Sequence, residues 1–182
     1  MIRRLIMAAV LEFRKSRAED IPRMLEIFAR ARRLMDETGN TTQWTTADRP
    51  REELLLNDIA LDRSYVCLHE GRIVGTFVYM YGDDPERGYR ADRITEGGWK
   101  DAGPYGVIHR IASSGELKGI GTACIEWCAA QCPHIRIDTH PNNKPMRGLL
   151  EKLGFVRCGT MSVPVDDGVR VIYERSESVH AR

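Results

Sequence analysis

The sequence predicts one mixed α/β domain. Three observations carry that expectation: a length that suits a single core, apolar residues that switch between strand and helix periods, and turn residues at the switches. With 182 residues, 42% hydrophobic and 29% charged, the chain can bury one sizeable core. The expected order of elements is β–α–α–β–β–β–α–β–α–β–β, and no internal repeat or low-complexity tract interrupts it.

Leu11–Lys15 reads as the first strand. Ile21, Leu25, Phe28, Ala31 and Met35 keep returning to one face, which predicts an amphipathic helix that Gly39 and Asn40 stop. Pro50 is placed to open a second helix over 51–62, because a first turn tolerates a missing amide donor. Ser64–Glu70, Gly71 and Arg72–Tyr81 read as strand, tight turn and strand. Gly82 to Gly103 is polar and holds five of the sixteen glycines, which predicts a loop, or a loop around a short strand. Loops this long often line binding sites, and a plain surface excursion is the other reading.

Tyr105–Ser113 is the next strand, followed by a helix from Gly119 with Ile120, Cys124, Trp127 and Cys128 as its apolar stripe and Pro133 as its stop. Ile135–Thr139 is a strand and "HPNN" a turn. Met146, Leu149, Leu150 and Leu153 then mark one helix face, with Asn143 at the N-cap, Pro145 in the first turn and Gly154 as a left-handed stop. Phe155–Cys158 and Val169–Tyr173 close the domain as strands around a turn at Asp166–Gly168.

Composition narrows the function. A net charge of +1, with dispersed basic residues, supplies no field for steering onto nucleic acid. No apolar run approaches the ~20 residues of a membrane span. "MIRRLIMAAVLEF" imitates a signal peptide, but Glu12 ends its short apolar segment without a cleavage site, so 1–10 reads as an N-terminal extension. Met7 is an alternative natural start. Five cysteines are too few and too odd for a disulfide scaffold in a chain this long, so a reducing, cytoplasmic setting fits. Cys124, Cys128 and Cys132 recur every four residues near His134, yet they lack the tighter knuckles of zinc motifs; core packing is the plain reading and no metal is expected.

The stretch "GELKGIG", Gly115–Gly121, stands between strand and helix. Free amides at a helix N-terminus carry partial positive charge, and glycines let a phosphate approach the backbone. A Walker loop fails, because Lys118 precedes Gly119 instead of following Gly121. A dinucleotide fingerprint lacks its third glycine, since Cys124 stands there, and six residues separate strand from glycines. Asp138 does lie where a ribose-binding acid would.

The order of elements, "VIHRIAS", "ELKGIG" and "IRIDTHPNNKPMRGLLEKLGF" resemble the GNAT superfamily of acyl-CoA-dependent N-acetyltransferases. The resemblance covers Leu11 to about Tyr173, giving a domain at 11–175 and a tail at 176–182. "GNTTQW", "HRIAS" and "RIDTHPNN" are similar to a bacterial subgroup within it. The resemblance implies a mostly antiparallel central sheet flanked by helices, with a splayed central strand pair that holds acetyl-CoA as co-substrate. It implies that amides from Leu117 through Lys118, Gly119, Ile120 and Gly121 to Thr122 cradle the pyrophosphate. Ile111 and Ser113 would offer backbone groups to the pantetheine arm, and Asn143 matches the family's cofactor-contacting asparagine. A homodimer is common in the family.

Two positions depart from the family pattern. Glu116 stands where arginine or glutamine is usual, and Lys118 is near enough to offset it. Leu150 falls where a tyrosine protonates the departing thiolate, and a leucine donates no proton. An amine with a pKa near ~10 needs a base or a dry pocket to free its lone pair. His109 is the candidate base, two residues before Ile111 and on its face by period two; a histidine satisfied by a neighbouring strand is the alternative. Asp138 and His140 are further candidates, or simply turn formers. Gln43, Trp44 and Tyr79 are candidate acceptor-binding residues, with Tyr81 a second possible hydroxyl and Asp83, Asp84 and Glu86 a possible acidic cleft. The expected activity is acetyl transfer to a small-molecule or peptide amine. A GNAT-like module that binds acyl-CoA without catalysis is the alternative.

Overall fold

The computed structural model describes residues 10–41, 43–44, 49–164 and 168–176. The elements are β1 (Leu11–Lys15), α1 (Ile21–Glu37), α2 (Glu52–Ala60), β2 (Ser64–His69), β3 (Arg72–Gly82), β4 (Ile94–Gly97), β5 (Tyr105–Ser113), α3 (Ile120–Gln131), β6 (Ile135–Thr139), α4 (Lys144–Lys152), β7 (Val156–Ser162) and β8 (Val169–Arg175). They form one eight-stranded sheet in the order β1-β2-β3-β5-β6-β8-β7-β4. Every neighbouring pair is antiparallel except β5 with β6, which run parallel.

The expected order holds with one addition. The polar stretch after β3 contains a real edge strand, β4, which pairs with β7 and carries too little apolar alternation to announce itself. Pro50 lies before α2 and does not open it: Arg51 is the N-cap and the helix starts at Glu52. Helix α3 ends at Gln131, short of Pro133. On α1 the buried face is Ile21, Met24, Ile27 and Phe28, leaving Leu25, Ala31 and Met35 half-buried. Residues 165–167 of the last predicted turn, and most of both termini, fall outside the described residues.

Two layers of helix cover the sheet. On one face α3 and α4 bury Phe77, Tyr79, Ile120, Cys124, Cys128 and Leu150 against β3, β5 and β8. On the other, α1 and α2 bury Met24, Ile27, Phe28 and Leu55 against Val66, Leu68 and Ala112. Full burial of each such aliphatic or aromatic side chain contributes about 1.5–3 kcal/mol. All five cysteines are free and buried, and the described residues hold no cluster able to bind a metal. Among them no helix is long and apolar enough to cross a membrane.

What positions the site is a seam at the centre of the sheet. β5 and β6 pair at Gly106–Ile135 and Val107–Arg136, with Gly106 N–H donating to His134 C=O at 2.8 Å. β6 meanwhile pairs with β8 from Ile135 to Thr139. The register between β5 and β6 stops after Val107, so the later part of β5 and the later part of β6 face a slit. The splay expected from the resemblance is therefore present.

Candidate active site

Two cavities open on the slit. The first, about 390 Å³, lies between the C-terminal half of α1, the end of β5 and the starts of α3 and α4. Ile111, Ser113, Leu117, Lys118, Gly121 and Asn143 line it together. Gly119 is the α3 N-cap with φ 84°, a left-handed conformation that penalises any L side chain. A Cβ there would meet nothing within 4 Å, so the helix N-terminus is open to a ligand. Gly121 has a second reason to be glycine, because a Cβ would press on Leu149 at 3.2 Å where α3 packs against α4. Ile120 points into the core, and Thr122 sits half-buried in the first turn without lining the groove.

Glu116 is neutralised by neighbours that sequence reasoning did not place there. Arg23 of α1 reaches it at 2.7 Å and Arg72 of β3 at 3.7 Å. The hydrogen bond from Arg23, ahead of the other nearby arginines, holds the Glu116 carboxyl below its ordinary range. Arg30 lies directly against Gly115, so a Cβ on that glycine would collide with its guanidinium. The groove therefore keeps cationic side chains at its mouth although its own loop carries an acid.

The second cavity, about 380 Å³, shares Met35, Ile111, Asn143 and Met146 with the groove. It gathers His109, Asp138, Gln43 and Trp44 with residues the sequence did not single out. His109 Nε2 lies 2.9 Å from Glu86 Oε2, and its Nδ1 lies 3.6 Å from Asp138 Oδ1. The Tyr89 hydroxyl donates to the same Asp138 oxygen at 2.7 Å. The bond from His109, working against burial, pulls Glu86 down to about 2. Burial, with Asp138 alongside, pushes the Tyr89 phenol well above its ordinary range.

A second charged group closes the far wall. Asp58, fully buried on α2, takes Arg63 Nε at 2.9 Å and Arg110 Nη2 at 2.8 Å. Arg110 lies in a bulge of β5: Thr76 faces Ala112 but Val78 faces His109, so β5 carries one extra residue. Its φ is 49°, a left-handed value for a non-glycine. The bulge corrects the period-two argument for His109. His109, Arg110 and Ile111 all line the same cavity, which strict alternation forbids for three consecutive residues.

Gln43 and Asn143 join the two cavities. Gln43 Oε1 accepts from Asn40 Nδ2 at 2.9 Å and from Asn143 Nδ2 at 3.0 Å. Asn143 Oδ1 accepts from Met146 N–H at 3.2 Å, capping α4 as its sequence predicts. Trp44, with φ 63°, packs edge-on against Phe28 at 5.6 Å.

Four expectations do not converge here. Tyr79 faces the α3 side of the sheet, against Trp127 and Tyr65, and lines neither cavity. The alternation that turns its neighbour Met80 toward the cavity turns Tyr79 away. Tyr81 is 60% exposed. His140 is buried and accepts from Asn142 N–H at 3.1 Å, which is a turn-shaping role. Asp83 and Asp84 stay outside the cavity, while Glu86 enters it. Leu150 is fully buried, consistent with packing. Of the residues missed, Asp58 left a signal: an acid three positions after Leu55 on the buried face of an apolar helix. Arg110 left none, because the bulge is a tertiary event.

A sequence model of the acetyltransferase (GNAT) family matches residues 21–155. Comparison with curated proteins returns no match. Among solved structures, a GNAT-family acetyltransferase from Streptococcus agalactiae superposes with a TM-score of 0.79 at 29% identity, covering 92% of this chain and 95% of that one. A GNAT-family acetyltransferase from Listeria monocytogenes gives 0.64 at 18% identity, covering 93% and 98%. A structure of AAC(6')-Ib in complex with ribostamycin and coenzyme A gives 0.65 at 21% identity, covering 94% and 96%. With a family match over most of its length and the splayed sheet in place, this chain belongs to the GNAT family of acetyltransferases.

Proposed function

We propose that this chain moves an acetyl group from acetyl-CoA to a primary amine, with the groove holding the coenzyme and the charged cavity holding the acceptor. One observation carries the reading: two cavities of different chemistry meet at Ile111, Asn143 and Met146, beside the slit between β5 and β6. Bound acetyl-CoA supplies the activated acetyl group as a thioester. The open, left-handed start of α3 fits its pyrophosphate, with Lys118 and Arg30 adding positive charge. Backbone groups at Ile111 and Ser113 suit the pantetheine arm, which would lie along β5 as an added strand.

His109 is the proposed base. With its Nε2–H donated to Glu86, the Nδ1 lone pair is free to take a proton from the acceptor ammonium. Asp138 lies beside Nδ1, and Tyr89 holds Asp138 in place. The chain supplies no proton at Leu150. Departure then relies on the thiol's own acidity, around ~8.5 by analogy with cysteine. The domain proposed for this work spans 11–175, and five free cysteines suit the reducing cytoplasm.

Leu150 also favours a second reading, an acyl-CoA-binding module without turnover. Calorimetric titration with acetyl-CoA, followed by a thiol-release screen over amines, separates the two. Binding with release supports the transferase, binding without release for any amine supports the module, and no binding removes both.

A further inference from the structure

Charges of both signs line the acceptor cavity, and that pairing names a class of substrate. Arg63 and Arg110 line it and share a single carboxylate, the fully buried Asp58. One arginine would neutralise that acid, so the second leaves positive charge in excess. Arg110 donates Nη2 to Asp58, but its Nε is buried with no hydrogen-bond partner. Most of the Arg110 side chain is buried, and burial pulls its guanidinium below the usual arginine range. An arginine in excess, desolvated and incompletely bonded, is a poor way to stabilise a fold. The side chains of Arg110 and Arg63 both line the cavity, where a ligand carboxylate can accept from them.

The other sign borders the same cavity: Glu86 and Asp138 flank His109, with Arg170 Nε 3.5 Å from Asp138. Carboxylates placed there suit an ammonium group. The cavity volume, about 380 Å³, is at the small end of ligand sites and admits a molecule of amino-acid size. The backbone also bends to present Arg110: its left-handed φ in the β5 bulge is what turns three consecutive side chains into one cavity.

Resting on the transferase reading above, we propose that the acceptor is an amino-carboxylate, a molecule bearing both the amine to be acetylated and a carboxylate bound by Arg110 and Arg63. The amine lies toward His109, Asp138 and Glu86, where its proton is removed at His109 Nδ1. Nitrogen then bonds to the acetyl carbon as the carbon–sulfur bond breaks, the thiolate leaves and takes the second proton that the nitrogen sheds, and the product is an N-acetylamino-carboxylate that keeps its carboxylate and has no ammonium. That product has lost the cation that Glu86 and Asp138 attract, which favours its release.

The experiment compares matched pairs: the twenty protein amino acids as free acids beside their carboxamides and decarboxylated amines. Thiol release from acetyl-CoA and calorimetric binding are both read, with wild type and Arg110→Gln. The expected result is a preference of at least ~10-fold in kcat/KM for the free acid of at least one pair, about what one charged contact supplies. Arg110→Gln should remove that preference, mainly by raising the KM of the free acid. Arg63→Gln, which leaves Arg110 on Asp58, serves as the second variant if Arg110→Gln fails to fold. Free acids that bind in an arginine-dependent way without thiol release would sink the transferase reading, and this proposal's acetylation step with it, while upholding its carboxylate contact. Release as fast from carboxamides and decarboxylated amines as from free acids would overturn this proposal alone. No binding of any free acid, with or without turnover of other amines, overturns it as well.

Discussion

The two cavities are the same size and share a wall, yet they are built in opposite ways. The proposed coenzyme groove centres on one run of chain, the end of β5, the loop through Lys118 and the first turn of α3, with α1 and α4 as its flanks. Its working parts are backbone amides, a left-handed glycine and apolar side chains. The proposed acceptor cavity draws charged side chains from the turn before β2, the loop after β3, β5, β6 and β8, so Arg63, Glu86, His109, Asp138 and Arg170 come from five separate stretches. A groove built of backbone tolerates changes of side chain and resists changes of shape. A cavity built of paired charges does the reverse. A family can thus keep one coenzyme and vary its acceptors.

That contrast is open to direct attack. The largest effect is expected from shape: Gly119→Trp fills the open start of α3 and should abolish acetyl-CoA binding by calorimetry while the fold survives. If binding persists, the groove is not where the coenzyme sits. Next, His109→Ala should lower kcat by roughly 10²–10⁴ with the KM for acetyl-CoA unchanged, the loss expected when a general base is removed. An unchanged kcat would transfer the role elsewhere. Third, Asp58→Ala leaves two buried arginines without their carboxylate and should destabilise the protein by about 3–5 kcal/mol in urea unfolding. Its groove counterpart, Glu116→Ala, removes an exposed ion pair and should leave the midpoint where it was. Equal losses would erase the distinction between the two regions.

The smallest effect concerns pH. Glu86 is held at about 2 in the folded chain, against 4.5 when free, so its contribution to stability is present above pH 4.5 and is lost as pH falls toward 2. Thermal midpoints of wild type should therefore fall more steeply across that window than those of Glu86→Gln. Parallel curves would mean that the His109–Glu86 contact is not formed in solution.

The same contrast explains what the sequence could disclose. The groove was legible because its signal is local: Asn143 as a cap, Gly154 as a stop, and glycines before an apolar helix stripe follow from spacing alone. His109, Asp138, Gln43 and Trp44 were found one by one, as residue types suited to the chemistry, without any sign that they meet. Arg63 and Arg110 were invisible, because an arginine on a strand reads as a solvated face until a bulge and a buried acid on another helix change its surroundings. Tyr79 misled for the opposite reason. Its hydroxyl looked like chemistry, and strand alternation sent it into the core.

The short ladder between β5 and β6 has a mechanical meaning. Two plates, β1-β2-β3-β5 and β6-β8-β7-β4, meet along a boundary held by backbone bonds at one end, near Gly106 and His134. Load drawn across the sheet therefore concentrates at that end, as force gathers at the tip of a partly opened zip. The rest of the boundary behaves as a hinge that a strand-like guest can stiffen. The sheet has its shortest ladder along the line where the substrates are proposed to meet, and a strand-like ligand lying in that line would extend it.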